Sequence, residues 1–540
     1  MLPSPGTCAM SQTPSPGNPR MQSFSEIIAG HAARNPDGAA FFEPGRTLTW
    51  AGYHHLSDAL AAHFIDAGLK KGERVGIYLQ DGALMHAALI GAEKAGLVSM
   101  GLGARAGLRE VRHLMQVAEA TALVTHASLR DADMNGFFAE VKEVVPSLRQ
   151  HLVLNEDFES QFPASVPLSA QHAAAIAERR LRPTDIAILN STSGTTGMPK
   201  CVVHDEARWQ VYHRYSTDAG QLTEQDIFLS AVPMPFGFSI WTSHVTPMML
   251  GAPCAIMPKF SPELMIELID RHKVTVMAAV TTQFIMMLNS PAMAKADLSS
   301  LRILFTGGEM IPYDRAAEFE DRTGATVLNM YGSNETGVLS YTRVTDSRQR
   351  RLTGAGKVIP DLNVRLFEGR KDVTASGRGQ PGGKGAVLSR GYYNNPEANA
   401  KLFTDDGWML MEDIVTIDGE GYLTVVGRVG DFIIRGGKNI SAAAVEEAVG
   451  SHPAVALAAA VAAPDKVFGE RVMLFVETRD GKTLTLPEVK AHLESVKASK
   501  EIYPEYLVVM PEIPRAPGGK VAKGALREEA RKRVEQLQAG

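Results

Sequence analysis

Cysteine is scarce: the 540 residues hold three, Cys8, Cys201 and Cys254, odd in number and far apart. Neither a disulfide framework nor a zinc cluster can be built from that set, so a reducing cytoplasm is the expected location. Long apolar runs are missing too. No stretch reaches the roughly 18 uninterrupted apolar residues that span a bilayer, and a soluble protein without a membrane partner is expected. Charge of one sign is not in excess: 55 Lys and Arg against 60 Asp and Glu leave a net charge of -5, which gives no reason to expect nucleic acid as a partner. Residues 1–20 are rich in Pro, Ser and Gly and lack the apolar core of a signal peptide. They read as a disordered tail, with Met10 or Met21 as alternative starts.

What is present is an ordinary globular composition, 45% hydrophobic and 21% charged, in a chain too long for one core. Short apolar segments (74–80, 121–126, 185–191, 274–280 and 301–308) read as strands. Amphipathic segments such as 81–96 and 261–273 read as the helices between them. This alternation predicts an α/β fold with parallel-rich sheets flanked by helices. Glycine and turn residues become frequent after about residue 365, and a compact α+β segment follows from Asp431. The predicted organisation is a large N-terminal domain over 21–428, a hinge at 429–431 and a small C-terminal domain over 432–540.

The strongest local signal is Ser191-Thr192-Ser193-Gly194-Thr195-Thr196-Gly197-Met198-Pro199-Lys200, directly after a strand. Glycines let backbone N–H groups approach phosphate oxygens, hydroxyls add donors and the lysine adds charge, so the segment reads as an anion cradle. Its spacing differs from the common nucleotide loop G-x-x-x-x-G-K-[ST].

The loop resembles the [ST]-[ST]-G-[ST]-T-G-x-P-K signature of the adenylate-forming superfamily, the acyl-CoA synthetases, luciferases and peptide-synthetase adenylation domains. Further segments match in the family's order: Gly307-Gly308-Glu309, Asn329 through Gly337, Gly407-Trp408 through Asp413, Arg428, Arg435 through Ile440, and Pro514 through Lys520. The resemblance implies a large AMP-binding domain with a small barrel-like part and a mobile C-terminal domain. It also implies ATP, Mg²⁺ and coenzyme A as cofactors or cosubstrates. Carried over residue by residue, it implies that Gly308, Glu309, Met330, Tyr331, Gly332 and Asn334 border the nucleotide. Asp413 and Arg428 would hold the ribose, Glu335 would hold Mg²⁺, and Lys520 would serve adenylation. Gly436, Gly437 and Lys438 would border the thiol tunnel, and Gly430 would be the hinge.

The chemistry has a reason for these groups. A carboxylate is a poor acyl donor until it attacks the α-phosphate of ATP and acquires AMP as leaving group. Two anions must meet, so catalysis is charge neutralisation and alignment. A thiol then displaces AMP. The expected function is therefore a carboxylic acid:CoA ligase, with a carrier protein as the alternative thiol and a homodimer left open. Luciferase-like oxidation and an inactive nucleotide-binding protein are further alternatives.

Acid specificity should come from Pro233 through Ser239, where Phe236 occupies the family's aromatic gate, and from Gly237, Trp241, Gly307 and Met310. Relatives that activate hydroxybenzoates carry Asn at the position of Gly237, so salicylate-like acids are expected to be disfavoured. Gly308-Glu309-Met310-Ile311-Pro312 resembles the G-E-x-L-P run of benzoate:CoA ligases. A small aromatic or alicyclic acid is expected, with a medium-chain fatty acid as the alternative; core packing is the other use for these aromatics. The chain departs from the family at Cys201, Asn334, Met411-Glu412, Ala442 and Ala444.

Overall fold

The computed structural model describes residues 21–192, 198–308, 311–436, 438–479, 481–516 and 519–539; the expected tail over 1–20 lies outside them. Four main sheets organise the chain. A nine-stranded sheet has a parallel centre built from Ala39–Glu43, Cys254–Ala255, Phe228–Ser230, Val276–Ala278, Ile303–Thr306 and Thr326–Ser333, with antiparallel edges. A six-stranded sheet runs Cys201–His204, Ile188–Ser191, Val98–Gly101, Arg74–Tyr78, Ala122–Thr125, Gln150–Val153, parallel except for the first pair. Central strands such as Arg74–Tyr78, Ala122–Thr125 and Ile303–Thr306 are buried along nearly all their length, as helix-covered parallel strands must be, and so they read in sequence as apolar runs. The helix Ala83–Lys94 is buried along its whole length, wedged where such sheets and helices meet.

Two strands are shorter than their apolar runs. Asp185 accepts from Arg182 in a turn, so the strand starts only at Ile188. The run 274–280 contributes Val276–Ala278. The helix Pro262–His272 begins at a Ser261 cap with Pro at its first position and turns Met265, Ile266, Leu268 and Ile269 inward.

The third sheet is antiparallel and supplies the small barrel-like part: Leu362–Glu368, Arg378–Gly385, Asp413–Ile417 and Leu423–Arg428, with short flanking strands. The next strand, Phe432–Arg435, belongs to the fourth sheet, in the small domain. There Val455–Asp465, from Leu457 onward, and Gly469–Thr478 alternate between two faces. Ala460, Val472, Leu474 and Val476 enter one core, beneath the helices Ala442–Gly450 and Leu486–Ser495. Ala459, Val461, Met473 and Phe475 enter another, beneath Lys523–Ala539. The small domain therefore buries its own apolar surface on both faces of its sheet. No helix among the described residues is long and apolar enough to cross a membrane.

Candidate active site

The loop 191–200 leaves the C-terminal end of Ile188–Ser191 and returns as Cys201–His204. Ser193, Gly194, Thr195, Thr196 and Gly197 lie outside the described residues. The neck of the loop is closed by its own polar groups: Thr192 N donates to Lys200 O at 3.0 Å, and Lys200 N donates to Thr192 Oγ1 at 3.1 Å. The Lys200 ammonium stands over the Tyr392 ring, 4.7 Å from its centroid.

Glu335 lies in the turn between Thr326–Ser333 and Gly337–Tyr341. Arg208, 3% exposed, fixes that turn by donating to the carbonyls of Asn334 (3.0 Å) and Glu335 (3.4 Å), while Ser389 N donates to Glu335 O at 2.7 Å. Burial pulls the Arg208 guanidinium down to about 10. Burial, reinforced by Arg208, also keeps the neighbouring His204 well below its usual range. Glu335 Oε1 accepts from Tyr392 OH at 2.8 Å. The Asn334 amide turns the other way: Oδ1 accepts from Asn190 Nδ2 at 3.1 Å and Nδ2 donates to Ser191 O at 3.4 Å. A side chain at Gly332 would strike the Gly337 carbonyl, so this glycine is required by packing as well.

On the other side of the cleft, Tyr331 OH donates to Asp413 Oδ2 at 2.8 Å, and Asp413 faces Arg428 across paired strands. Burial raises the Asp413 carboxyl above the usual range, against the opposing pull of Tyr331, Arg428 and Lys520. Burial, with Asp413 beside it, pushes the Tyr331 hydroxyl well up, so it stays a donor. Arg428 Nη2 donates to Glu412 Oε2 at 2.8 Å, which gives the unusual Glu412 a direct partner in the expected ribose arginine.

Lys520 comes to this cleft from the small domain. Gly519, at φ +88°, accepts through its carbonyl from Thr282 Oγ1 at 2.8 Å, which holds Gly519 against the large-domain helix Thr281–Asn289. A Cβ on Gly308 would fall 2.7 Å from Lys520 Cε and closer still to Nζ, so the ammonium rests on the Gly308 backbone. Gly308 is itself at φ +79°. Glu309 and Met310 lie outside the described residues, as does Gly437. Gly436 N donates to Phe468 O at 2.8 Å, and Lys438 pairs with Glu501, contacts made within the small domain. Gly430 is at φ +91° with open space around it, between Arg428 and the Asp431 that pairs with Arg527.

Phe236 is half-buried, its ring against Gly103. Beyond it the helix widens to a π-helical turn over Ile240–Val245. Trp241 is 1% exposed, stacked on Tyr212 and edge-on to Phe238 and Phe305, so its contribution is to back Phe238 from the core. Gly307 lets its backbone approach Met330 O, where a Cβ would lie 2.5 Å away. A Cβ on Gly237 would meet Asn334 Oδ1 at 2.8 Å and Asn190 Nδ2 at 3.3 Å; two amides fill the place of the missing side chain. Sequence reasoning passed over Tyr392, Arg208, Asn190 and Thr282. None of the four stands in a local motif; each is picked out by its partners in the folded chain.

Comparison with known proteins bears on this arrangement. The profile of the AMP-binding enzyme family matches residues 28–394, and that of the AMP-binding enzyme C-terminal domain matches 444–520. Pyochelin synthase PchD of Pseudomonas aeruginosa is 30% identical over 517 residues, 95% of this chain and 93% of that one. The 2,3-dihydroxybenzoate-AMP ligase of Bacillus subtilis is 28% identical over 512 residues, 94% and 93% of the two chains. Among solved structures, the anthranilate CoA ligase AuaEII in complex with anthranoyl-AMP superposes with a TM-score of 0.85 at 21% identity, over 96% of this chain and 99% of that one, a likeness of fold. By both profiles and by identity over nearly its full length, the chain belongs to the AMP-binding enzyme family, the adenylate-forming ligases.

Proposed function

We propose that the protein is an ATP-dependent aryl acid:CoA ligase working in two steps within one cleft. In the first, the acid's carboxylate oxygen attacks the α-phosphorus of ATP and pyrophosphate leaves. In the second, the thiol sulfur of coenzyme A attacks the acyl carbon and AMP leaves. The observation that carries the reading is the small-domain Lys520 resting over Gly308, within electrostatic reach of Asp413. An ammonium there offsets charge where two anions meet. Asp413, hydrogen-bonded by Tyr331, suits a ribose hydroxyl as acceptor, and Lys200 with the loop 191–200 suits the departing pyrophosphate.

The donor set also suits Mg²⁺. Among the described residues no cluster of three or more His, Cys, Asp or Glu side chains forms a metal cage, whereas Glu335 offers a hard carboxylate beside the phosphate loop. That fits an ion carried in on the triphosphate and met by one protein carboxylate. When bound, it would neutralise phosphate charge.

For the acid, the similarity to a 2,3-dihydroxybenzoate-AMP ligase supports an aromatic ring. Gly237 offers no donor of its own, but the Asn190 and Asn334 amides stand in its place, and Asn190 Oδ1 has no hydrogen-bond partner among the described residues. A polar substituent ortho to the carboxylate therefore fits as well as plain benzoate does. The test is acid-dependent pyrophosphate exchange with benzoate, salicylate, anthranilate, cyclohexanecarboxylate and octanoate, followed by addition of coenzyme A or a holo-carrier protein. Exchange with an aryl acid and thioester on coenzyme A is expected. Exchange with none of them would overturn the proposal.

A further inference from the structure

Tyr392 belongs to none of the motifs above, yet it joins two of them. Its backbone is pinned on both sides by one residue: Tyr392 N donates to Asn399 Oδ1 at 2.7 Å, and Asn399 Nδ2 donates to Tyr392 O at 2.8 Å. A bridge to Val202, just past the phosphate loop, fixes it further, and the side chain is 9% exposed. From this fixed base the ring carries the Lys200 ammonium over its face at 4.7 Å, and its hydroxyl donates to Glu335 Oε1 at 2.8 Å.

We infer that Tyr392 is a positioning residue that sets Glu335 for the nucleotide-borne Mg²⁺ and Lys200 for the phosphates. A glutamate in a turn has three side-chain torsions to order. The Tyr392 hydroxyl occupies one carboxylate oxygen and so fixes the direction of the other. The ring meanwhile holds the ammonium over its face and the carboxylate at its edge, so that the cation and the anion are presented separately. Outer partners of metal ligands typically govern metal affinity by ~10–100-fold.

The inference rests on the reading of Glu335 as the metal carboxylate, and the experiment separates the two. Mn²⁺ binding to the full-length enzyme with ATP is titrated by electron paramagnetic resonance for wild type, Tyr392→Phe, Glu335→Gln and the double variant. Mg²⁺ dependence of pyrophosphate exchange is measured in parallel. Melting curves establish the folded fraction to which each titration is referred. Tyr392→Phe is expected to weaken Mn²⁺ binding and raise the Mg²⁺ needed for half-maximal exchange by ~10-fold, with kcat at saturating Mg²⁺ within a few-fold of wild type. It should add little on top of Glu335→Gln. Tyr392→Leu, which also removes the ring beneath Lys200, should raise the KM for ATP as well. If Glu335→Gln leaves Mn²⁺ binding unchanged, the Glu335 reading fails. If Glu335→Gln weakens binding but Tyr392→Phe does not, the role assigned to Tyr392 is wrong.

Discussion

Replacing Gly308 with alanine places a methyl group where the end of Lys520 now lies, 2.7 Å from Cε. Carbon atoms rest at about 3.5–4.0 Å, so the lysine tip must retreat by roughly 1 Å. It is the far end of a flexible chain, so the fold survives and the cost falls on position. A 1 Å misplacement at a reacting centre costs about 10²-fold. Holding alanine at φ +79° adds about 1–2 kcal/mol of strain in the loop. Gly308→Ala is therefore expected to slow pyrophosphate exchange by about 10²-fold, and Lys520→Ala by about 10²–10³-fold, the loss of one transition-state donor. Both should spare thioester formation from synthetic acyl-adenylate and coenzyme A. The decisive measurement is the double variant. If the methyl group acts by displacing the lysine, it should cost almost nothing in kcat once the lysine is gone. A Gly308→Ala penalty that persists in full on the Lys520→Ala background would refute the reasoning.

Three further outcomes are expected. Gly430→Pro, which forces φ near -65° where the structure has +91°, should leave one half-reaction and abolish the other; full activity in both assays would rule out a hinge at this residue. Glu412→Gln frees the Arg428 guanidinium from an exposed pair worth about 0–1 kcal/mol, so the KM for ATP should fall up to about five-fold with kcat unchanged, and an unaltered KM would argue against competition for that arginine. Glu93, buried with Ser25 N and Ser25 Oγ as its donors, has its carboxyl pushed by burial up to about 7. Because this value lies above that of an unfolded glutamate, the folded chain binds the proton more readily, and stability is lost as pH rises towards 7. Glu93→Gln should flatten that part of the curve of melting temperature against pH, and an unchanged slope would show that Glu93 does not set it.

The segments that the structure brings together around Lys520 and Glu335 stand out in the chain because each is contiguous: the residues flanking Ser191 and Lys200, the glycines after Ile303–Thr306, and the Tyr331 and Asp413 segments. Two helices and two strands of the small domain, Ala442–Gly450, Leu486–Ser495, Val455–Asp465 and Gly469–Thr478, were readable as well, because caps and apolar runs are local signals, such as the Thr485 cap of Leu486–Ser495. What escaped depends on distant pairings. Arg208 looks like an ordinary solvated helix residue until the turn 334–336 closes over it. Tyr392 and Glu335 are 57 residues apart in the chain and meet only in the fold. Trp241 was placed in the acyl pocket by type and position, whereas packing with Tyr212, Phe238 and Phe305 puts its ring in the core. Glu93 and Glu206, which no motif singles out, receive the first backbone N–H groups of the helix Phe24–Arg34.

The two separate cores on either side of the small domain's sheet have an evolutionary corollary. A module that is self-sufficient in apolar burial can change its outer surface by mutation while both of its cores keep their packing.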